Sequence, residues 1–118
     1  MALVLHRLHY HRILHKMSHS MTKFPFQQQL LQLAKREPYL ERIWLFGSQA
    51  RGDAAKLSDY DLAFDWHPRH RDEWIRFKFQ LEDELKTLHT LDLIYMPEAG
   101  KVLKQEIAQT GKLIYEKK

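Results

Sequence analysis

The chain reads as an α+β domain whose helices and strands follow each other in α/β-type order. Three observations predict this. Short apolar segments of strand character alternate with longer segments of helical periodicity. One short segment, 60–66, alternates apolar and polar residues cleanly. The 118 residues, 44% of them hydrophobic, suffice for one domain with a small core.

The elements follow in order. Residues 1–20 differ in kind from the rest. Five of the eight histidines lie there, His6, His9, His11, His15 and His19, beside Arg7, Arg12 and Lys16 and no acid. A metal-binding or anion-binding arm is one reading, but composition favours a disordered extension, or translation begun upstream of a natural start at Met21. The folded domain is expected over 21–118. Phe26, Leu30, Leu33 and Ala34 recur at helical spacing, which predicts a helix over 26–36 that ends before Pro38, with Gln27-Gln28-Gln29 as its solvated side. Residues 40–46 (LERIWLF) read as a buried strand stopped by Gly47.

Residues 47–52 form a turn that opens a short helix, and 56–58 are loop. The strand at 60–66 places Asp59, Asp61, Ala63 and Asp65 on an acidic face and Tyr60, Leu62, Phe64 and Trp66 on a core face. Both Trp44 and Trp66 are expected in the core. Trp74, Phe77, Leu81, Leu85 and Leu88 mark the buried stripe of a long helix over 71–88. Residues 91–96 (LDLIYM) are a third strand closed by Pro97, and its lone Asp92 sits among apolar neighbours, where an unpaired carboxylate is costly. A helix over 98–110 buries Leu103 and Ile107, with Gly111 as its C-cap, and 112–116 form a short closing strand.

Composition narrows the function. There is no cysteine, which removes disulfides and thiolate metal sites and suits a reducing cytoplasm. No apolar run reaches the roughly 20 residues of a membrane span. The early His6, Arg7 and His9 interrupt any signal-peptide core. The net charge of +4 comes mostly from the N-terminus: 19 Lys and Arg, less the three in residues 1–20, leave 16 against 15 acids. A body of net +1 lacks the basic face that a nucleic-acid template needs, so no direct nucleic-acid partner is expected. Arg51-Gly52-Asp53 spells a cell-adhesion tripeptide, and inside this turn it is read as coincidence.

The chemistry concentrates in one constellation. Gly47-Ser48 is separated by ten residues, Gln49 to Ser58, from Asp59-Tyr60-Asp61. Carboxylates at i and i+2 of a strand share a face, where they repel one another and invite a divalent cation. If the strand of Asp92 pairs with that of Asp61, the third carboxylate faces the other two across roughly 5 Å. Such a set suits one or two Mg²⁺ ions, which about 3.5–4 Å apart can activate an attacking oxygen and steady a leaving pyrophosphate. Gly47 permits close backbone approach to a phosphate, Ser48 can donate its hydroxyl, and Arg51 can neutralise charge.

These residues resemble the minimal nucleotidyltransferase domain of the polymerase-beta-like superfamily, over about 24–115. The resemblance implies a polymerase-beta-like nucleotidyltransferase fold, a short mixed β-sheet packed against helices. It implies that Asp59 and Asp61 bind the catalytic metals, that Asp92 completes the site and acts as base on the incoming hydroxyl, and that Gly47, Ser48 and Arg51 hold the nucleotide. Small stand-alone members resemble the antitoxin half of HEPN–MNT toxin–antitoxin pairs. The expected function is thus Mg²⁺-dependent transfer of AMP from ATP to a tyrosine of a partner HEPN ribonuclease toxin, in a hetero-oligomer. Size agrees, since so small a body has little surface left to select an acceptor. Two other functions stay open: an antitoxin that acts by binding alone, and a small-molecule nucleotidyltransferase of the antibiotic-modifying kind.

Overall fold

A computed structural model describes residues 24–52 and 59–118. The expected N-terminal extension over 1–20, the start at Met21 and the loop over 56–58 lie outside those residues. The described elements are helix α1 (Gln27–Ala34), strand β1 (Leu40–Phe46), helix α2 (Gly47–Arg51), strand β2 (Tyr60–Trp66), helix α3 (Arg71–Glu84), strand β3 (Leu91–Tyr95), a 3₁₀ turn (Met96–Glu98), helix α4 (Lys101–Thr110) and strand β4 (Lys112–Glu116). The order is the expected one, down to the closing strand.

The four strands form one sheet in the order β3-β2-β1-β4. β1 pairs antiparallel with β2 and with β4, and β2 pairs parallel with β3, so the sheet is mixed. The parallel step needs a crossover, and α3 supplies it. Helices α1 and α3 cover one face, where Phe26, Leu30, Ala34, Trp74, Phe77 and Leu81 join Ile43, Leu45, Leu62 and Phe64 in the main core. Trp66 is buried there too, and its indole N–H donates to the His70 carbonyl at 2.8 Å.

The other face differs from expectation. It is acidic only at its two ends. Ala63 is fully buried in the middle, under Ile107 of α4, and with Phe46 makes a second, smaller core. Trp44, Ile94, Met96 and Leu103 pack around it. The small side chain of Ala63 leaves room for that cluster, and α4 packs over this face against β1, the neighbour of the strand that carries the aspartates.

Several boundaries moved for identifiable reasons. α3 stops at Glu84 rather than 88. The stripe holds as far as buried Leu85, but Leu88 is 92% exposed. Gln29 ends the helix from outside: its amide donates to the Glu84 carbonyl at 2.8 Å and accepts from the Lys86 N–H at 3.0 Å. The Thr87 hydroxyl then accepts from the His89 N–H at 3.0 Å and turns the chain away. The glutamine run is therefore not merely solvated, since Gln27 also accepts from the Phe24 N–H at 3.2 Å. Pro97 opens the 3₁₀ turn, which delays α4 until Lys101.

Gly111 is the C-cap as expected, though with a φ of −70° rather than a left-handed one. It is glycine because a Cβ there would overlap the Ile107 carbonyl, with the carbonyl carbon at 3.2 Å. Asp92 escapes the expected desolvation because β3 is an edge strand and leaves it exposed. Among the described residues no helix is long and apolar enough to cross a membrane.

Candidate active site

The site forms where β1 ends. Phe46, the last residue of β1, lies opposite Asp61 of β2. The chain then turns at Gly47, whose φ of +72° lies in the left-handed region that favours glycine. A Cβ at Gly47 would overlap the Asp61 carboxylate, with Cγ at only 3.1 Å. Gly47 thus serves two needs at once: the backbone can leave the strand, and the Asp61 carboxylate can lie against it. α2 follows for five residues, burying Ala50 and leaving Ser48 half-buried and Arg51 exposed. Gly52, with φ of +81°, ends it.

Asp61 also lies opposite Asp92 of β3, so Phe46, Asp61 and Asp92 run in one row across the sheet. Residues opposite one another in a ladder share a face. The Asp92 carboxyl is close enough to act on that of Asp61. Burial, then the negative charges of Asp92, Asp59 and Glu106, push the Asp61 carboxyl above the usual carboxylate range. The fold therefore assembles like charges around a half-buried acid. Asp59 stands exposed at the mouth of β2, close enough for its charge to act on Asp61. Arg51 lies on the same rim, its Nη1 3.9 Å from the Glu106 carboxylate of α4.

Residues 28–118, most of the chain, match the family model for polymerase beta, nucleotidyltransferase. The chain belongs to the polymerase beta nucleotidyltransferase family. It is accordingly a nucleotidyltransferase. Solved structures agree on the fold. One toxin–antitoxin complex with AMP-PNP is 25% identical with a TM-score of 0.56, covering 78% of this chain and 74% of its own. A variant of the toxin–antitoxin pair MntA–HepT is 24% identical with a TM-score of 0.61, covering 81% and 76%. A double variant of that pair is 22% identical with a TM-score of 0.54, covering 78% and 74%. No curated protein matches.

Within this nucleotidyltransferase, the residues singled out by spacing fall into two groups. Gly47, Asp61 and Asp92 touch or nearly touch; Ser48, Arg51 and Asp59 border them. Among the described residues, no three His, Cys, Asp or Glu side chains stand ready-made as a metal-holding set. The donor chemistry nevertheless fits a hard cation. All the available groups are carboxylates, Asp61 and Asp92 opposite one another in the ladder, with Asp59 acting on Asp61 through its charge. Glu106, not among the residues singled out by spacing, is brought by the structure to the same rim. Its signal was its place beside Ile107, the most buried residue of α4, at the border between the packed and the wet face.

Proposed function

We propose that this nucleotidyltransferase is the antitoxin of a HEPN-type toxin–antitoxin pair and transfers AMP from ATP to a tyrosine of the toxin. The observation that carries the reading is the row Phe46, Asp61, Asp92 with the Gly47 turn closed against it. Backbone without side-chain bulk lies beside a carboxylate on which burial and neighbouring negative charges bear. A nucleoside triphosphate with its cation supplies what each half lacks. The 25%-identical toxin–antitoxin complex carrying an ATP analogue supports both the nucleotide and the partner.

Asp59, Asp61 and Asp92 are the set that would hold Mg²⁺, which when bound neutralises phosphate charge and favours the ionised form of the attacking hydroxyl. The chain's own residues do the rest. Gly47 admits the phosphates close to the backbone, Ser48 donates its hydroxyl to a phosphate oxygen, and Arg51 neutralises part of the triphosphate. The tyrosine oxygen bonds to the α-phosphorus as the bond to pyrophosphate breaks, and the phenolic proton passes to Asp92. The exposure of Asp92 on an edge strand suits that role, because an acceptor from outside can reach it. The tyrosine and the surface that presents it come from the partner, in a hetero-oligomer expected in the cytoplasm.

Intact-mass spectrometry of the purified pair with ATP and Mg²⁺ tests this. The toxin should gain one or more AMP units with wild-type chain and none with Asp61→Asn. An active toxin left unmodified by wild type would falsify the transfer. Full neutralisation by Asp61→Asn without any gain in mass would leave binding alone as the function.

A further inference from the structure

Glu106 is the charged group near the site that the proposed chemistry leaves without a task. Its backbone is held firmly. The next residue, Ile107, is 2% exposed and is seated against Phe46 and Ala63, beneath which lies the strand of Asp61. Gly111 lets the chain end close against the Ile107 carbonyl, where its N–H donates at 2.8 Å. The Glu106 side chain therefore starts from a fixed point and extends over the rim.

There it meets Arg51. The separation of 3.9 Å is ion-pair range but too long for a hydrogen bond, and the two side chains are 45% and 43% exposed. Pairs of that kind are weak, screened by solvent and easily exchanged. A triphosphate offers a guanidinium shorter, forked, charge-assisted hydrogen bonds. The acid is therefore strong enough to bias Arg51 towards the rim and too weak to keep it from a phosphate.

We propose that Glu106 is a positioning residue: it holds the Arg51 guanidinium at the mouth of the Gly47 turn in the nucleotide-free protein and yields it to the phosphates of an incoming nucleoside triphosphate. The proposal rests on the reading of Arg51 as a phosphate-binding residue. It makes Glu106 a competitor that sets nucleotide affinity. Because the acid must give Arg51 up, part of the binding free energy is spent on the exchange.

A double-mutant cycle tests it, with ATP and Mg²⁺ titrated calorimetrically into wild type, Glu106→Gln, Arg51→Gln and the double variant. The isosteric Glu106→Gln should bind ATP about 3-fold more tightly, the scale of a weak exposed pair, and lower the KM for ATP correspondingly. Arg51→Gln should bind more weakly, and the second substitution should change nothing in that background. Equal tightening in both backgrounds would mean that Glu106 repels the phosphates directly, which overturns the proposal. Unchanged or weaker binding by Glu106→Gln overturns it as well, including where a lowered Tm shows a purely structural role. A wild-type chain that binds no ATP overturns the proposed function and this inference together; failure confined to the Glu106 arm overturns this inference alone.

Discussion

Asp61 and Asp65 lie four residues apart on the same face of β2, and the sheet treats them in opposite ways. Asp65 lies opposite Arg42 of β1, whose Nη1 donates to it at 2.7 Å, while Nε of the same arginine donates to Glu116 of β4 at 2.8 Å. Three strands are thereby tied through one guanidinium. Asp61 lies opposite Phe46 on one side and Asp92 on the other, and the charges that bear on it most are negative. One carboxylate has its counter-charge built in. The other is held by packing against its own electrostatics, which in the proposed function a cation from outside would relieve. The difference separates an acid that ties the sheet from an acid poised for chemistry.

The comparison breaks most visibly at Asp61. Asp61→Asn should reduce AMP transfer on the order of 10³-fold, the scale of losing a charge-stabilising group at a reacting centre. The same variant should melt no lower than wild type at neutral pH without nucleotide, because an amide relieves the repulsion. Transfer assays beside thermal melts check both, and a variant that kept its activity would move the chemistry elsewhere.

Gly47→Ala should damage stability and activity together. It forces a side chain into a left-handed backbone and into the Asp61 carboxylate. Destabilisation of about 1–3 kcal/mol is expected, read by chemical denaturation. At the other end, Asp65→Asn should cost only about 0.5 kcal/mol, since the pair with Arg42 is partly exposed and Arg42 keeps Glu116. Transfer should persist in that variant; loss of transfer with the fold intact would show that the two ends are coupled.

The smallest effect is in the pH dependence. The Asp61 carboxyl titrates above its unfolded value, so the folded protein holds its proton more tightly than the unfolded chain does. The stability this contributes is fully present below the ordinary aspartate range and is lost as pH rises through the raised value. Melts of the nucleotide-free protein across the acidic range should show that loss for wild type, and less of it for Asp61→Asn.

Much of this was legible in the residues themselves. The period-two alternation of 60–66 placed Asp59, Asp61 and Asp65 together, and the helical stripe of Trp74, Phe77, Leu81 and Leu85 placed α3. Local pattern failed where a distant side chain decided. Leu88 continues the helical stripe by spacing, but Gln29, 55 residues from Glu84, ends the helix before it. Gly111 is the C-cap that its position suggests, but not for a left-handed backbone; glycine is required by a close approach to Ile107. Asp92 looked desolvated because its neighbours in sequence are apolar, whereas exposure depends on its strand being at the edge.

By itself the sequence determined which residues share a face, because side-chain direction follows from backbone period alone. The Gly-Ser pair, its spacer, the two alternating aspartates and Asp92 likewise carried the resemblance to the minimal nucleotidyltransferase domain. Only the tertiary structure decided which acid meets which charge. Arg42 reaches Asp65 from β1, Asp92 reaches Asp61 from β3, and Glu106 reaches the rim from α4. Electrostatic free energy depends on distance and burial in space, and strand order and helix packing set both. Two aspartates that look interchangeable along β2 are therefore, in the folded protein, a clamp and a candidate site.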